Sequence, residues 1–368
     1  MLMLKEKREI LAKKYSENEG LYNAVFFICG VLFDVFTLDE IDSLIGVLQQ
    51  LFYIVAIGSL LYFDLIHRYT PLNIKKGFQT IWEYRSPLLH FLLGGLLSVY
   101  SLFFIKSASF FSSFGFIAFM LALLIGNELQ VVQKQKISLK IGIYSICIFS
   151  FFSMIFPVLL GHVGKLPFFL SVCATLLFIT CFYKMIYKKI EDKNSLRKAL
   201  LLPSFSILLV FSIFYYLGWI PPVPLSVKEI GVYHDIKRTS EGDYELFYEK
   251  PDWKFWLSGD QNFESHPGEK IYIFARIFSP ARFKDTLYLN WQFYLPKKGW
   301  TSTDRVPIDI SGGRKSGYRG YSYKENYPEG EWRVLVETSD TREVGRIRFD
   351  VTKSQTGRTS QITKFVVR

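Results

Sequence analysis

GWIPPVPLS, residues 218–226, is where this chain changes character. Pro221, Pro222 and Pro224 end a helix and stiffen the exit from it, because proline lacks a backbone donor and has a fixed φ; Trp219 suits a membrane–water interface. Upstream, apolar runs alternate with short basic patches. Downstream, charges recur every few residues, and no run approaches the roughly 20 residues that carry a helix across about 30 Å of hydrocarbon. The whole chain, 368 residues at 50% hydrophobic and 17% aromatic, has a composition that fits a large soluble core as well as a membrane protein, so the distribution decides. It predicts a transmembrane domain over residues 1–223 and a separate domain over 224–368.

The upstream part predicts an all-α bundle of seven transmembrane helices, at residues 21–37, 45–66, 87–105, 108–126, 141–161, 166–183 and 199–220. The basic lead KEKREILAKK before the first run has the look of a signal peptide, but no small-residue cleavage site follows and Asp34 interrupts the apolar region, so a retained helix is expected. Basic connections resist translocation. The N-terminal arm and the connections 67–86, 127–140 and 184–198 hold eighteen Lys and Arg, against Lys106 and Lys165 alone in the other three. This predicts a cytoplasmic N-terminus and, after seven spans, a domain on the far side of the membrane. Cys29, Cys147, Cys173 and Cys181 all fall inside predicted spans, so the exported domain has no thiol for a disulfide or a metal.

Residues 224–368 have a period of two. Ile271, Ile273, Ala275 and Ile277 share one face of KIYIFARIF; Leu287, Leu289, Trp291, Phe293 and Leu295 share one face of DTLYLNWQFYL. Trp332, Val334 and Val336 alternate with Arg333, Leu335 and Glu337, and Gly345, Ile347, Phe349 and Val351 oppose Arg346, Arg348 and Asp350. SDTR between those two runs is a tight turn. With YELFYEK, WKFWLS, GYRGYSYK and QITKFVV this makes about eight short strands, the pattern of an all-β domain, a β-sandwich of immunoglobulin-like layout.

The Gly-, Arg- and Tyr-rich stretch 310–334 imitates two motifs and meets neither. Gly312 and Gly317 have the gap of a phosphate loop, but Tyr318 and Arg319 follow where Lys and Ser or Thr are needed, and a strand comes next instead of a helix. RGYSY from Arg319 starts like an RNA-recognition strand, yet Lys324 and Asn326 occupy positions that need Val and an aromatic. No nucleic-acid partner is expected. The segment reads as turn, strand and turn.

GGRKSGYRGYSYK and PEGEWRVLVETSDTREVGRIRFDV, with the upstream LYLNWQFY, resemble the bacterial family known as domain of unknown function 2914. The resemblance covers about the last hundred residues. Members often carry His before the strand Trp, where this chain has Asn290. It implies membrane spans before the domain and hence the bacterial inner membrane with a periplasmic C-terminal domain; it implies no activity.

Catalytic patterns are absent. Gly320-Tyr-Ser322-Tyr-Lys324 only grazes the nucleophile-elbow motif, Ser195 and Lys198 form an isolated Ser-x-x-Lys, and the five histidines show no metal-ligand spacing. No catalytic residue, cofactor or metal is assigned. Ionisable residues in spans are costly, which marks Asp64, His90 and Glu128 as an intramembrane polar site for a transporter or membrane enzyme. Asp34, Asp64 and Glu128 also lie near span ends, where side chains reach water. The exported domain carries 24 Lys and Arg against 20 acids. Arg319, Tyr321 and Tyr323 share a strand face, and Arg333, Arg346 and Arg348 occupy non-core positions of the next two strands. As neighbours in one sheet they would form a face suited to carboxylate, phosphate or sugar groups. The expected function is recognition of an envelope protein, glycan or anionic ligand, with the lipid bilayer as the other partner.

Overall fold

The computed structural model describes residues 41–69, 82, 85–128, 137–250, 253, 256, 258–311, 317–354 and 362–367. The expected first span, 21–37, lies outside them. The helices are α1 (Leu44–Tyr69), α2 (Arg85–Ser107), α3 (Phe110–Glu128), α4 (Ile137–Leu160), α5 (Lys165–Tyr187), α6 (Lys193–Leu196) and α7 (Leu202–Tyr216), the last two joined by a π-helical turn, Arg197–Leu201. Among the described residues five helical stretches, not seven, are long and apolar enough to cross a membrane: Leu44–Arg68, Leu88–Ser107, Ile137–Leu160, Lys165–Tyr187 and Lys193–Tyr216.

The expected span 108–126 is α3, shifted by two residues to Phe110–Glu128, and its described apolar stretch is Phe111–Gly126. Ala108 and Ser109 stay outside the helix, where the Ser109 hydroxyl donates to Glu343 and its carbonyl accepts the Ser113 N–H at 3.0 Å. The last span begins earlier than its apolar run, at Lys193. Its π-turn has a local cause: Pro203 has no N–H for the Ala199 carbonyl and its ring crowds that carbonyl, so the helix widens, with the Leu202 N–H bonding back to Arg197 O.

Two compact units form. The first comprises Met1–Leu102, Ala118–Phe151 and Thr175–Val210. Its interior holds Ile57, Leu61, Leu93, Leu97, Cys147 and Phe149. Polar groups within it pair across helices: Tyr144 Oη donates to Ile54 O at 2.9 Å, and the Ser145 and Ser204 hydroxyls meet at 2.8 Å. Gly58 makes the first contact feasible, because a Cβ there would stand 2.6 Å from Tyr144 Oη.

The second unit, Phe103–Ile117, Phe152–Ala174 and Phe211–Arg368, contains all the described strands and five helix ends, those of α2, α4 and α7 and the beginnings of α3 and α5. The strands are β1 (Ser226–Tyr233), β2 (Asp235–Arg238), β3 (Tyr244–Tyr248), β4 (Asn262–Ser265), β5 (Ile271–Phe278), β6 (Lys284–Leu295), β7 (Gly299–Ser311), β8 (Tyr318–Lys324), β9 (Gly330–Glu337), β10 (Glu343–Lys353) and β11 (Thr363–Val367). They form a first sheet β1-β5-β8, a second sheet β4-β10-β9-β6-β7 and a third sheet β11-β3-β2. The pairings are antiparallel except β4 with β10.

The main core lies between the first and second sheets. Ile271, Ile273, Ala275 and Ile277 from β5 meet Leu287, Leu289, Trp291, Trp332, Val334, Val336, Ile347 and Phe349, which are the faces the alternation predicts. Trp291 and Trp332 are 1% exposed, and each ring N–H is satisfied, on Ser322 Oγ and Pro328 O, both at 3.0 Å. Phe274 points the other way from β5. With Tyr233, Ile236, Leu246 and Val367 it makes a second core under the third sheet, so β5 is buried on both faces.

The last helix ends at Tyr216, four residues before the expected Ile220, because Gly218 caps it ahead of the prolines. At φ +71° this glycine is a left-handed helix cap; Gly218 N–H bonds to Tyr215 O (3.1 Å) and Trp219 N–H to Phe214 O (2.9 Å), the paired bonds of a Schellman motif. Arg342, in the SDTR turn between β9 and β10, donates to the next carbonyls, Tyr215 O at 3.0 Å and Ile220 O at 3.3 Å. Lys284 N–H bonds to Gly161 O at 2.8 Å, and Val163 N–H to Asp285 at 3.2 Å. The strands are thus tied to the α2–α3 connection, the α4–α5 connection and the end of α7.

Candidate functional site

The arginine and tyrosine face expected from the sequence becomes two faces. β8 pairs with β5 in the first sheet, whereas β9 and β10 belong to the second. Arg319, Tyr321 and Tyr323 therefore stand on the outer side of the first sheet, opposite Ser322. Arg319 Nη1 donates to Val367 O at 3.0 Å and meets Asp243 at 3.4 Å, with Tyr244 5.6 Å from its guanidinium. It anchors the third sheet. Tyr321 and Tyr323 remain exposed beside Tyr272, at ring distances of 6.3 and 5.7 Å.

Arg333, Arg346 and Arg348 come together on the outer side of the second sheet. Arg333 and Arg348 are directly opposed Cα partners across the β9–β10 ladder. Like charges so placed repel. Aromatic rings interleave them: Trp300 lies 4.4 Å from Arg333 and 5.4 Å from Arg348, and Phe111 lies 5.4 Å from Arg348 and 4.8 Å from Arg346. Arg346 Nε donates to Glu343 at 2.6 Å, and Arg333 Nε to the neutral Gln292 Oε1 at 2.6 Å. The carboxylates have other partners. Glu343 takes Arg346, and Glu337 pairs with Arg305 at 3.7 Å.

Electrostatics on this face are strained. Burial pulls the Arg333 guanidinium below its ordinary value, and the neighbouring Arg346 and Arg348 charges pull the same way. Burial pushes the Glu337 carboxyl up, against the Asn290 hydrogen bond and the Arg305 charge. Asn290 is buried; it donates to Glu337 at 3.0 Å and accepts from Ser302 at 2.6 Å, so it bridges β6, β7 and β9. Among the described residues, Arg333, Arg346 and Arg348, with Arg305 at the edge, face the two carboxylates Glu343 and Glu337, an excess of guanidinium in which a planar or tetrahedral oxyanion is held by forked donors.

The strands that build this face, β6, β7, β9 and β10, fall largely within a family match. Residues 284–351 match the family described as protein of unknown function (DUF2914). No curated protein matches the chain. Among solved structures, the chain is similar to an immunoglobulin-like protein of Pseudomonas aeruginosa at 14% identity, covering 35% of this chain and 98% of that one, with a TM-score of 0.22. It is also similar to a mutant β-glucosidase of Listeria innocua in complex with laminaribiose, at 10% identity over 37% of this chain and 17% of that one, TM-score 0.19. The alkylpurine DNA glycosylase AlkC of Pseudomonas fluorescens, bound to DNA containing an abasic site analogue, matches at 8% identity over 85% of this chain and 99% of that one, TM-score 0.22.

Outside residues 284–351 lie the three residues of the expected intramembrane polar site. Asp64 is engaged by Arg68 Nε at 3.1 Å and Arg85 Nε at 3.2 Å. His90 is buried in α2, and Glu128 ends α3, with its side chain outside the described residues. The Asp64 partners are arginines that loop counting treats only as orientation signals.

A second group has no signal in the sequence. His234, between β1 and β2, meets Glu269 at 2.8 Å, Asp260 at 3.4 Å and Glu249 at 3.8 Å, and stacks on Phe263 with ring centroids 4.2 Å apart. Burial opposes its positive charge, but the hydrogen bonds to Asp260 and Glu269 and the carboxylate charges outweigh it and raise the imidazole to about 9. Gly259 sets Asp260 in place: at φ +73° it approaches so closely that a Cβ would lie 1.9 Å from Val232 O, and Asp260 N–H bonds to that carbonyl at 2.8 Å. The four residues come from separate segments and show no metal-ligand grouping among the described residues.

Proposed function

We propose that this is an integral protein of the bacterial inner membrane whose periplasmic, immunoglobulin-like β-sandwich recognises an anionic group of the cell envelope, with Arg333, Arg346 and Arg348 as the recognising side chains. The observation that carries the reading is the direct opposition of Arg333 and Arg348 across β9 and β10, with Arg346 beside them and Glu343 as the ion-paired carboxylate. An oxyanion between those strands relieves like-charge repulsion and gains charge-assisted hydrogen bonds. Trp300 and Phe111 hold the guanidinium planes and supply a surface on which a sugar ring or acyl portion packs.

The proposed orientation has support in the contacts. The β-strands bond to the connection after α2, the connection after α4 and the segment after α7, and the first two are the connections poor in Lys and Arg. Two sheets packed through one core support the sandwich.

The test uses the full chain in detergent micelles at about 0.15 M salt. Carboxylate-bearing peptidoglycan fragments and a phosphate-bearing polymer are titrated separately against the parent and against Arg333→Gln with Arg348→Gln. At least tenfold weaker binding by the double variant of one of these ligands, with the melting temperature kept, is the expected result. Equal binding by parent and variant ends the assignment.

A further inference from the structure

Among the described residues, the cleft around Asp64 in the first unit has three cationic side chains and one carboxylate. It is lined by Leu60, Asp64 and Arg68 of α1, Arg85, Ser86 and Leu89 of α2, and Lys140 of α4. Arg68 and Arg85 each give their Nε to the same carboxylate, Asp64. Lys140 is 8% exposed, and its Nζ donates to a neutral hydroxyl, Ser86 Oγ, at 3.1 Å. Among the described residues lining the cleft, three cations thus meet one carboxylate.

A buried ammonium whose hydrogen-bond partner is a hydroxyl is costly unless an anion completes it. Asp64 is already divided between two guanidinium groups. Leu60 and Leu89 give the cleft an apolar wall, so the group that fits has an anionic head and a hydrocarbon body. Basic pockets between transmembrane helices on the cytoplasmic side suit such head groups, and the connections 67–86 and 127–140 that flank this one hold seven of the eighteen clustered Lys and Arg.

We infer that Arg68, Arg85 and Lys140 form a binding site for the phosphate of an anionic membrane phospholipid, with Asp64 setting the two guanidinium groups in place. The site is separate from the arginine face of the β-strands and does not depend on its ligand. Asp64 has a positioning role here in place of proton transfer.

The experiment reconstitutes the full chain in nanodiscs of phosphatidylcholine with a minor share of phosphatidylglycerol and reads retained lipid by native mass spectrometry. The parent is expected to retain phosphatidylglycerol over phosphatidylcholine. Arg68→Gln, at a half-exposed position that folding tolerates, is expected to cut that preference about fivefold, and Lys140→Gln by at least as much. Asp64→Ala removes the group that sets the two guanidinium groups in place and is expected to lower retention as well; unchanged retention overturns its positioning role. Equal preference in the parent, Arg68→Gln and Lys140→Gln overturns the site. Displacement of the lipid by inorganic phosphate alone overturns the lipid assignment, because it shows that the head group carries all the recognition and the apolar wall none.

Discussion

Arg319 and the Arg333–Arg346–Arg348 group lie on opposite outer sides of the same main core, and their neighbours make them different. Arg319 has a carbonyl and a carboxylate within reach and the third sheet beside it. Of the other three, Arg346 ion-pairs with Glu343, and Arg333 and Arg348 stand directly opposed. Residue type and strand position are the same in both cases. What separates an anchoring arginine from a recognising one is whether the fold supplies its counter-charge.

The largest effect that would break the comparison acts on the core between the two sides. Trp291→Ala or Trp332→Ala should cost about 3–5 kcal/mol, since each leaves a large cavity between the first and second sheets. Thermal melting of the full chain in detergent reads it. A loss below about 1 kcal/mol would show that the altered tryptophan does not bind the two sides together.

Next comes the His234 group, which ties the third-sheet side to the loop carrying Asp260. Its folded-state value of about 9 lies above the ordinary 6.5, so the stabilisation is complete below about 6.5 and is lost as pH rises through about 9. The shift corresponds to about 3–4 kcal/mol. The melting temperature should fall across that window in the parent, and the His234→Gln variant should lack the fall; a parallel fall in both would assign it to other groups.

Arg319→Gln should then cost about 1–3 kcal/mol by leaving Asp243 and the Val367 carbonyl without their donor. It should leave anion binding unchanged. Smallest is Arg348→Gln, expected within about 0.5 kcal/mol of the parent or slightly stabilising, because it removes a directly opposed like charge. Destabilisation of Arg348→Gln as large as that of Arg319→Gln would erase the difference between the two sides.

Much of the architecture is legible in the residues alone. The twenty-residue apolar runs, the proline-rich exit and the alternating faces of β5, β6, β9 and β10 are local patterns; each records the solvent that its segment meets, and burial follows at Ile273, Trp291 and Val334. The start of span 108–126 moves to Phe110, because hydropathy cannot see that Ser109 bonds to Glu343, more than two hundred residues away. Sheet membership is not a local property. Alternation places Arg319 and Arg333 off the core equally well, and pairing with β5 or with β10 then sends them to opposite sides. The same holds for His234, whose carboxylates arrive from three other segments, and for Asp64, whose arginines arrive from α1 and α2. Hydrophobic period is a short-range consequence of burial and so is written along the chain, whereas charge compensation depends on which distant segments meet, and that is settled by folding.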